Sequence, residues 1–173
     1  MSYLKKSGFL KHIFKSAPLI ILFIAVLNEF DANYFGVPFL SVNLAFILIF
    51  FWTLKNIEQF GYGYIFLAGL FNDVVIGYPI GLSCLTYLLI CGFSAYLKNI
   101  TLRANLVNEW LFFLFTILVV TSLNYFLLIT IFSIEFNYYE LLGNIFFTFM
   151  LYYVFAYIFD IFQKLVFKGQ AND

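Results

Sequence analysis

Long apolar blocks separated by short polar segments run the length of the chain. The blocks cover about residues 17–30, 38–54, 62–77, 81–97, 110–132 and 141–162. Blocks of this kind read as membrane-embedded helices. The pattern predicts an all-α membrane protein, with six transmembrane helices in one bundle and a single polytopic domain over residues 1–173. Ser16 is suited to cap the first helix and Pro18 to sit in its first turn. That block is short, so Phe14 and Lys15 extend it by snorkelling. Ahead of it, residues 1–16 place Lys5, Lys6, Lys11 and Lys15 opposite Phe9, Leu10, Ile13 and Phe14 at helical spacing. This basic amphipathic segment suits an anionic membrane surface, and its simplest role is to anchor and orient the chain. A secretory signal is the competing reading, but no small-x-small cleavage site follows and further blocks do.

The most informative block is 66–88, almost wholly apolar except for Asn72 and Asp73. Gly69, Asp73, Gly77 and Gly81 recur at every fourth residue. Residues four apart share nearly one helix face, so Gly69 lies a turn from Asp73 and leaves room for another backbone. The helix must then stop, because Gly77 is a good C-terminal cap and Pro79 drives Tyr78 out of the helical region. The reading is an antiparallel helical hairpin with a tight turn at 77–81. A carboxylate in the last turn of its own helix faces the negative end of that dipole. Asp73 is therefore expected to fold over the turn and accept the free amides of Leu82 and Ser83 at the start of the next helix. A direct contact with a partner is the alternative role for this acid.

Composition and charge sharpen the picture. Hydrophobic residues make up 64% and charged residues 10%, too apolar for a soluble domain. The formal net charge is zero, yet the nine basic residues are not spread evenly. With six crossings and both termini cytoplasmic, all nine fall on the inner side, while Glu29, Asp31, Glu135 and Glu140 edge the outer loops. No basic patch of the nucleic-acid-binding kind is present, and the bilayer is the implied partner. Cys84 and Cys91 are seven apart, about 10 Å along a helix, and read as packing residues rather than a disulfide.

Chemistry is sparse. His12 is the one histidine, so no HExxH pair or histidine metal cluster exists. No G-x-S-x-G elbow and no Gly-rich phosphate loop followed by Lys occurs. No catalytic residue, metal ligand or cofactor is expected. Asn43 in the second block and Thr116, Thr121, Ser122 and Asn124 in the fifth are read as interhelical hydrogen-bonding residues, without convergence on one cavity. Residues 98–109, with Lys98 and Arg103, read as a polar cytoplasmic loop.

The run G-L-x-x-D-x-x-x-G-x-P-x-G-L, formed by Gly69, Leu70, Asp73, Gly77, Pro79, Gly81 and Leu82, resembles the MreD family of bacterial rod-shape-determining membrane proteins. Pro38, Asn43-Leu44 and Phe51-Trp52 resemble that family's second span. The resemblance implies a non-enzymatic inner-membrane component of the cell-wall elongation complex, acting in rod-shape formation and the regulation of peptidoglycan synthesis. It implies MreC as partner and, through it, MreB, RodA and penicillin-binding protein 2, with no soluble substrate. It also implies a helix arrangement similar to the substrate-binding subunits of energy-coupling-factor transporters. A small-molecule-binding subunit of a vitamin transporter is the alternative, and a lipid-handling enzyme or flippase a third.

Overall fold

A computed structural model describes residues 19–27, 30–31, 41–100, 105–133 and 138–168. The basic segment 1–16, Pro18, Glu29, Pro38, Arg103 and Glu135 lie outside the described residues. Helix α1 covers residues 19–27. Strands β1 (Phe30–Asp31) and β2 (Ser41–Val42) pair antiparallel, with Phe30 opposite Val42. Helices α2 (Leu44–Phe60), α3 (Tyr62–Ile76), α4 (Leu82–Ile100), α5 (Leu106–Phe132) and α6 (Tyr138–Lys168) follow.

Helix α2 is the inner helix. Every residue of 47–54 is buried, the pattern of a helix apolar all round. Helix α4 packs against α2, α3 and α5, and α6 closes the bundle against α2 and α5. Rings hold α2, α5 and α6 together. Phe113 stacks on Tyr152 at 4.2 Å and 20°, and Phe50 meets both rings edge-on at 5.1 and 5.6 Å. Offset-stacked and edge-on geometries are those that aromatic quadrupoles favour. Between α4 and α2, the Ser94 hydroxyl donates to the Phe50 carbonyl at 2.8 Å. Between α5 and α6, Trp110 stacks on Phe149 at 4.4 Å and its Nε1 donates to the Phe149 carbonyl at 3.0 Å.

The prediction of six spans is not met. Among the described residues two helical stretches are long and apolar enough to cross a membrane, Leu106–Phe132 and Leu141–Ile161. The apolar part of α2, Leu44–Lys55, and the whole of α3, Tyr62–Ile76, are shorter. At 1.5 Å per residue the 15 residues of α3 rise about 22 Å, short of a hydrocarbon layer of about 30 Å. Helix α4 has 19 residues, but Ser83, Thr86, Ser94, Lys98 and Asn99 dilute its apolar character. The two long helices are not the core helices of a soluble fold, because only 28% of each is buried in the bundle. The fold is that of a multi-pass membrane protein.

Boundaries also move. The second helix starts at Leu44 and not at Pro38, since β2 occupies Ser41–Val42. Of the polar stretch 98–109, the described residues are nearly all helical. Helix α4 runs to Ile100, and α5 begins after Asn105, whose side chain accepts from the Val107 amide at 3.3 Å.

Candidate functional site

The α3–α4 hairpin is built around Asp73, which is 1% exposed. Its own carbonyl accepts the amides of Gly77 at 2.9 Å and Tyr78 at 3.0 Å, ending α3 with Gly77 at φ 78°. Its carboxylate reaches across the turn. Oδ2 accepts from the Gly81 amide at 2.7 Å and Oδ1 from the Ser83 amide at 2.8 Å. The acid thus caps α4 from the preceding helix. Gly81 takes the place foreseen for Leu82, whose amide instead bonds the Pro79 carbonyl at 3.2 Å. Among the described residues no cation pairs with Asp73. The amides and the positive end of the α4 dipole offset its charge.

Beside it, Asn72 donates through Nδ2 to the Ser83 hydroxyl at 2.9 Å. Below, Gly69 marks the crossing of the two helices. A Cβ there would lie 2.6 Å from Cys84 Cα and 2.7 Å from its nitrogen. Gly77 and Gly81 serve the turn through backbone conformation and not through close approach. A Cβ at either meets nothing within 4 Å, but their φ values of 78° and 102° are left-handed. Leu70 and Pro79 are half-buried and Leu82 is buried, so the seven motif residues form one hairpin.

Asn72 and Ser83 also wall a cavity of about 120 Å³ among α2 to α6. Four asparagines line it: Asn43 just before α2, Asn72 on α3, Asn124 on α5 and Asn144 on α6. Hydroxyls of Ser83, Thr86, Thr121 and Thr148 join them. The rings of Phe46, Tyr78, Tyr87 and Tyr125 complete the wall. Thr148 is a junction, its hydroxyl accepting from the Asn43 amide and donating to Asn144 Oδ1, both at 3.1 Å. Asn124 Oδ1 is buried without a hydrogen-bond partner. Polar groups that looked scattered along the sequence therefore do converge.

The opposite end of the bundle holds charge. Lys55 Nζ on α2 pairs with Glu109 Oε1 on α5 at 2.9 Å, with the two side chains 20% and 5% exposed. Lys98 on α4 donates to the Lys55 carbonyl at 3.5 Å. A cleft of about 80 Å³ opens beside them. Glu109 was expected in a solvated loop and is instead buried in the first turn of α5.

Sequence reasoning found Asp73, Gly69 and the Ser83 amide but passed over Asn144, Thr148 and the Ser83 hydroxyl. A signal for them exists. Asn144 and Thr148 stand four apart, and Thr121, Asn124 and Tyr125 three and four apart, each set on one face of a mostly apolar helix.

No family model, curated protein or solved structure matches the chain. Nothing in these comparisons ties it to rod-shape determination, and its two membrane-length helices depart from the six-span frame drawn from the sequence.

Proposed function

We propose that the chain is a non-enzymatic scaffold of a bacterial cytoplasmic membrane that holds a single-span partner, with the role in rod shape that its MreD-like motif implies. One observation supports this above the others. The motif residues meet in one hairpin, fixed by the Asp73 cap and by the close helix crossing at Gly69. A hairpin pinned at its turn and at its crossing presents a constant outer face. That face carries Phe66, Leu67, Phe71, Val74 and Val75, all exposed. Helices associate in lipid through fitted van der Waals surfaces, which a fixed face provides. MreC, and through it MreB, RodA and penicillin-binding protein 2, are the partners that the resemblance offers.

The test is depletion in the source cell combined with capture from native membranes. Depletion turns rods into spheres or lemon shapes, and the captured chain brings a single-span protein that Phe71→Ala/Val75→Ala loses. Normal shape after depletion, with no such protein retained, overturns the scaffold reading.

A further inference from the structure

We infer that the cavity among α2 to α6 binds a water-borne, uncharged ligand about one ring in size that carries amide or hydroxyl groups. This inference stands apart from the scaffold role and does not depend on it.

Position is the first ground. The lining comes from the start of α2, the end of α3, the start of α4, the second half of α5 and the start of α6. All of these lie at the end of the bundle that holds the α3–α4 turn. The cavity therefore sits at one rim, within reach of water, and not at mid-depth.

Charge is the second. Among the described residues that line the cavity there is no Asp, Glu, Lys or Arg. Asp73 lies nearby, but both carboxylate oxygens are engaged by the amides of Gly81 and Ser83. An ion entering such a wall would lose its hydration with no opposite charge to replace it. A neutral ligand meets no such barrier.

Size and chemistry are the third. A cavity of roughly 150 Å³ accepts one benzene ring. The cavity here, about 120 Å³ and partly open, suits a single ring and not a bulky multi-ring solute. The rings of Phe46, Tyr78, Tyr87 and Tyr125 offer apolar surface to a ring's faces. Amides and hydroxyls offer both donors and acceptors to its edge.

The decisive feature is Asn124. Its Oδ1 is shielded from solvent and accepts no hydrogen bond, although hydroxyls and amides surround the same space. A buried acceptor left unpaired is costly, and few are tolerated in native structures. A donor on the ligand, N–H or O–H, completes it once the Asn124 amide turns toward the space that its side chain lines.

The experiment uses the full chain purified into lipid nanodiscs, with benzamide and methyl β-glucoside as neutral probes and benzoate as the anionic match of benzamide. Saturation-transfer NMR reads binding. At least one neutral probe gives a saturable signal, and benzoate gives at least ten-fold less than benzamide. Asn124→Leu lowers the neutral-probe signal at least five-fold while helical content and melting temperature hold. If Asn124→Leu does not fold, Thr121→Phe, which fills the cavity from a half-buried position on α5, takes its place. No saturable signal from either neutral probe overturns the inference. So does equal binding of benzamide and benzoate, which would mean a site indifferent to charge, or binding unchanged in the variant, which would place the bound probe elsewhere.

Discussion

At the scale of single residues, Asp73 shows why an acid is kept in an apolar stretch. Four amides converge on it, two on its carbonyl and two on its carboxylate. One residue thus ends α3 and begins α4. Both carboxylate oxygens are in use, which changes what the amide isostere can do. Asp73→Asn keeps one acceptor but turns an NH2 group toward a backbone N–H, donor against donor. Asp73→Ala removes both bonds and leaves the Gly81 and Ser83 amides unpaired. Hydrogen bonds to charged groups contribute roughly 1.5–3 kcal/mol each, and caps about 1 kcal/mol. The Ala variant is expected to lose about 2–3 kcal/mol, and the Asn variant about half of that. Thermal unfolding in one detergent measures both. An Ala variant as stable as the wild type would show that the acid does not hold the turn. The cap was legible in the sequence because the logic is local: an acid in a last turn, a Gly and Pro break, and a new helix start within reach.

At the scale of elements, the α3–α4 pair depends on the absence of one side chain. A Cβ at Gly69 would sit 2.6 Å from the Cys84 backbone, and backbone cannot step aside as a flexible side chain can. Gly69→Ala therefore forces the helices apart, at a cost of about 1–3 kcal/mol for overpacking. Gly92 is the control on α4, since a Cβ there meets nothing within 4 Å. Gly92→Ala is expected to raise stability by about 0.5–1 kcal/mol through helix propensity. Unfolding midpoints that fall for the first and rise for the second confirm the crossing, and equal effects refute it. The close approach at Gly69 was readable from its place on the Asp73 stripe. The Lys55–Glu109 pair was not, because the two residues stand 54 apart and meet only once α2 and α5 are packed. The cavity was hidden for the same reason. Its polar residues are unremarkable helix by helix, and only the bundle brings Asn43, Asn72, Asn124 and Asn144 together. Helix ends were misplaced where context outweighed the pattern. Pro38 looked like a helix start, but Ser41–Val42 pair with β1 and the helix begins only at Leu44.

At the scale of the whole molecule, the bundle has two unlike ends. One carries the α3–α4 turn and the neutral cavity, the other Lys55, Lys98 and the buried Glu109. Helix α5 joins them. Its 27 residues rise about 40 Å, more than a hydrocarbon layer needs, so it is long enough to place its two ends in different compartments. Basic residues favour the cytoplasmic side, which predicts that the Lys55 and Lys98 end faces the interior. Val107, in the first turn of α5, is 51% exposed at that end. Ser133, just past the last turn, is exposed at the other, and Ile80 in the α3–α4 turn is 80% exposed at that same end. Single cysteines at these positions, with Cys84 and Cys91 replaced by alanine, report the arrangement through a membrane-impermeant thiol reagent. Cysteines at Ser133 and Ile80 are expected to react in intact cells, and one at Val107 only after lysis. Ser133→Cys and Val107→Cys reacting from the same side would mean that α5 does not cross. A reversed pattern would leave the crossing intact but place the lysine end outside, against the charge argument. Ile80→Cys reacting with Val107→Cys and apart from Ser133→Cys would separate the turn from the α5 terminus and so dissolve the shared rim that places the cavity within reach of water.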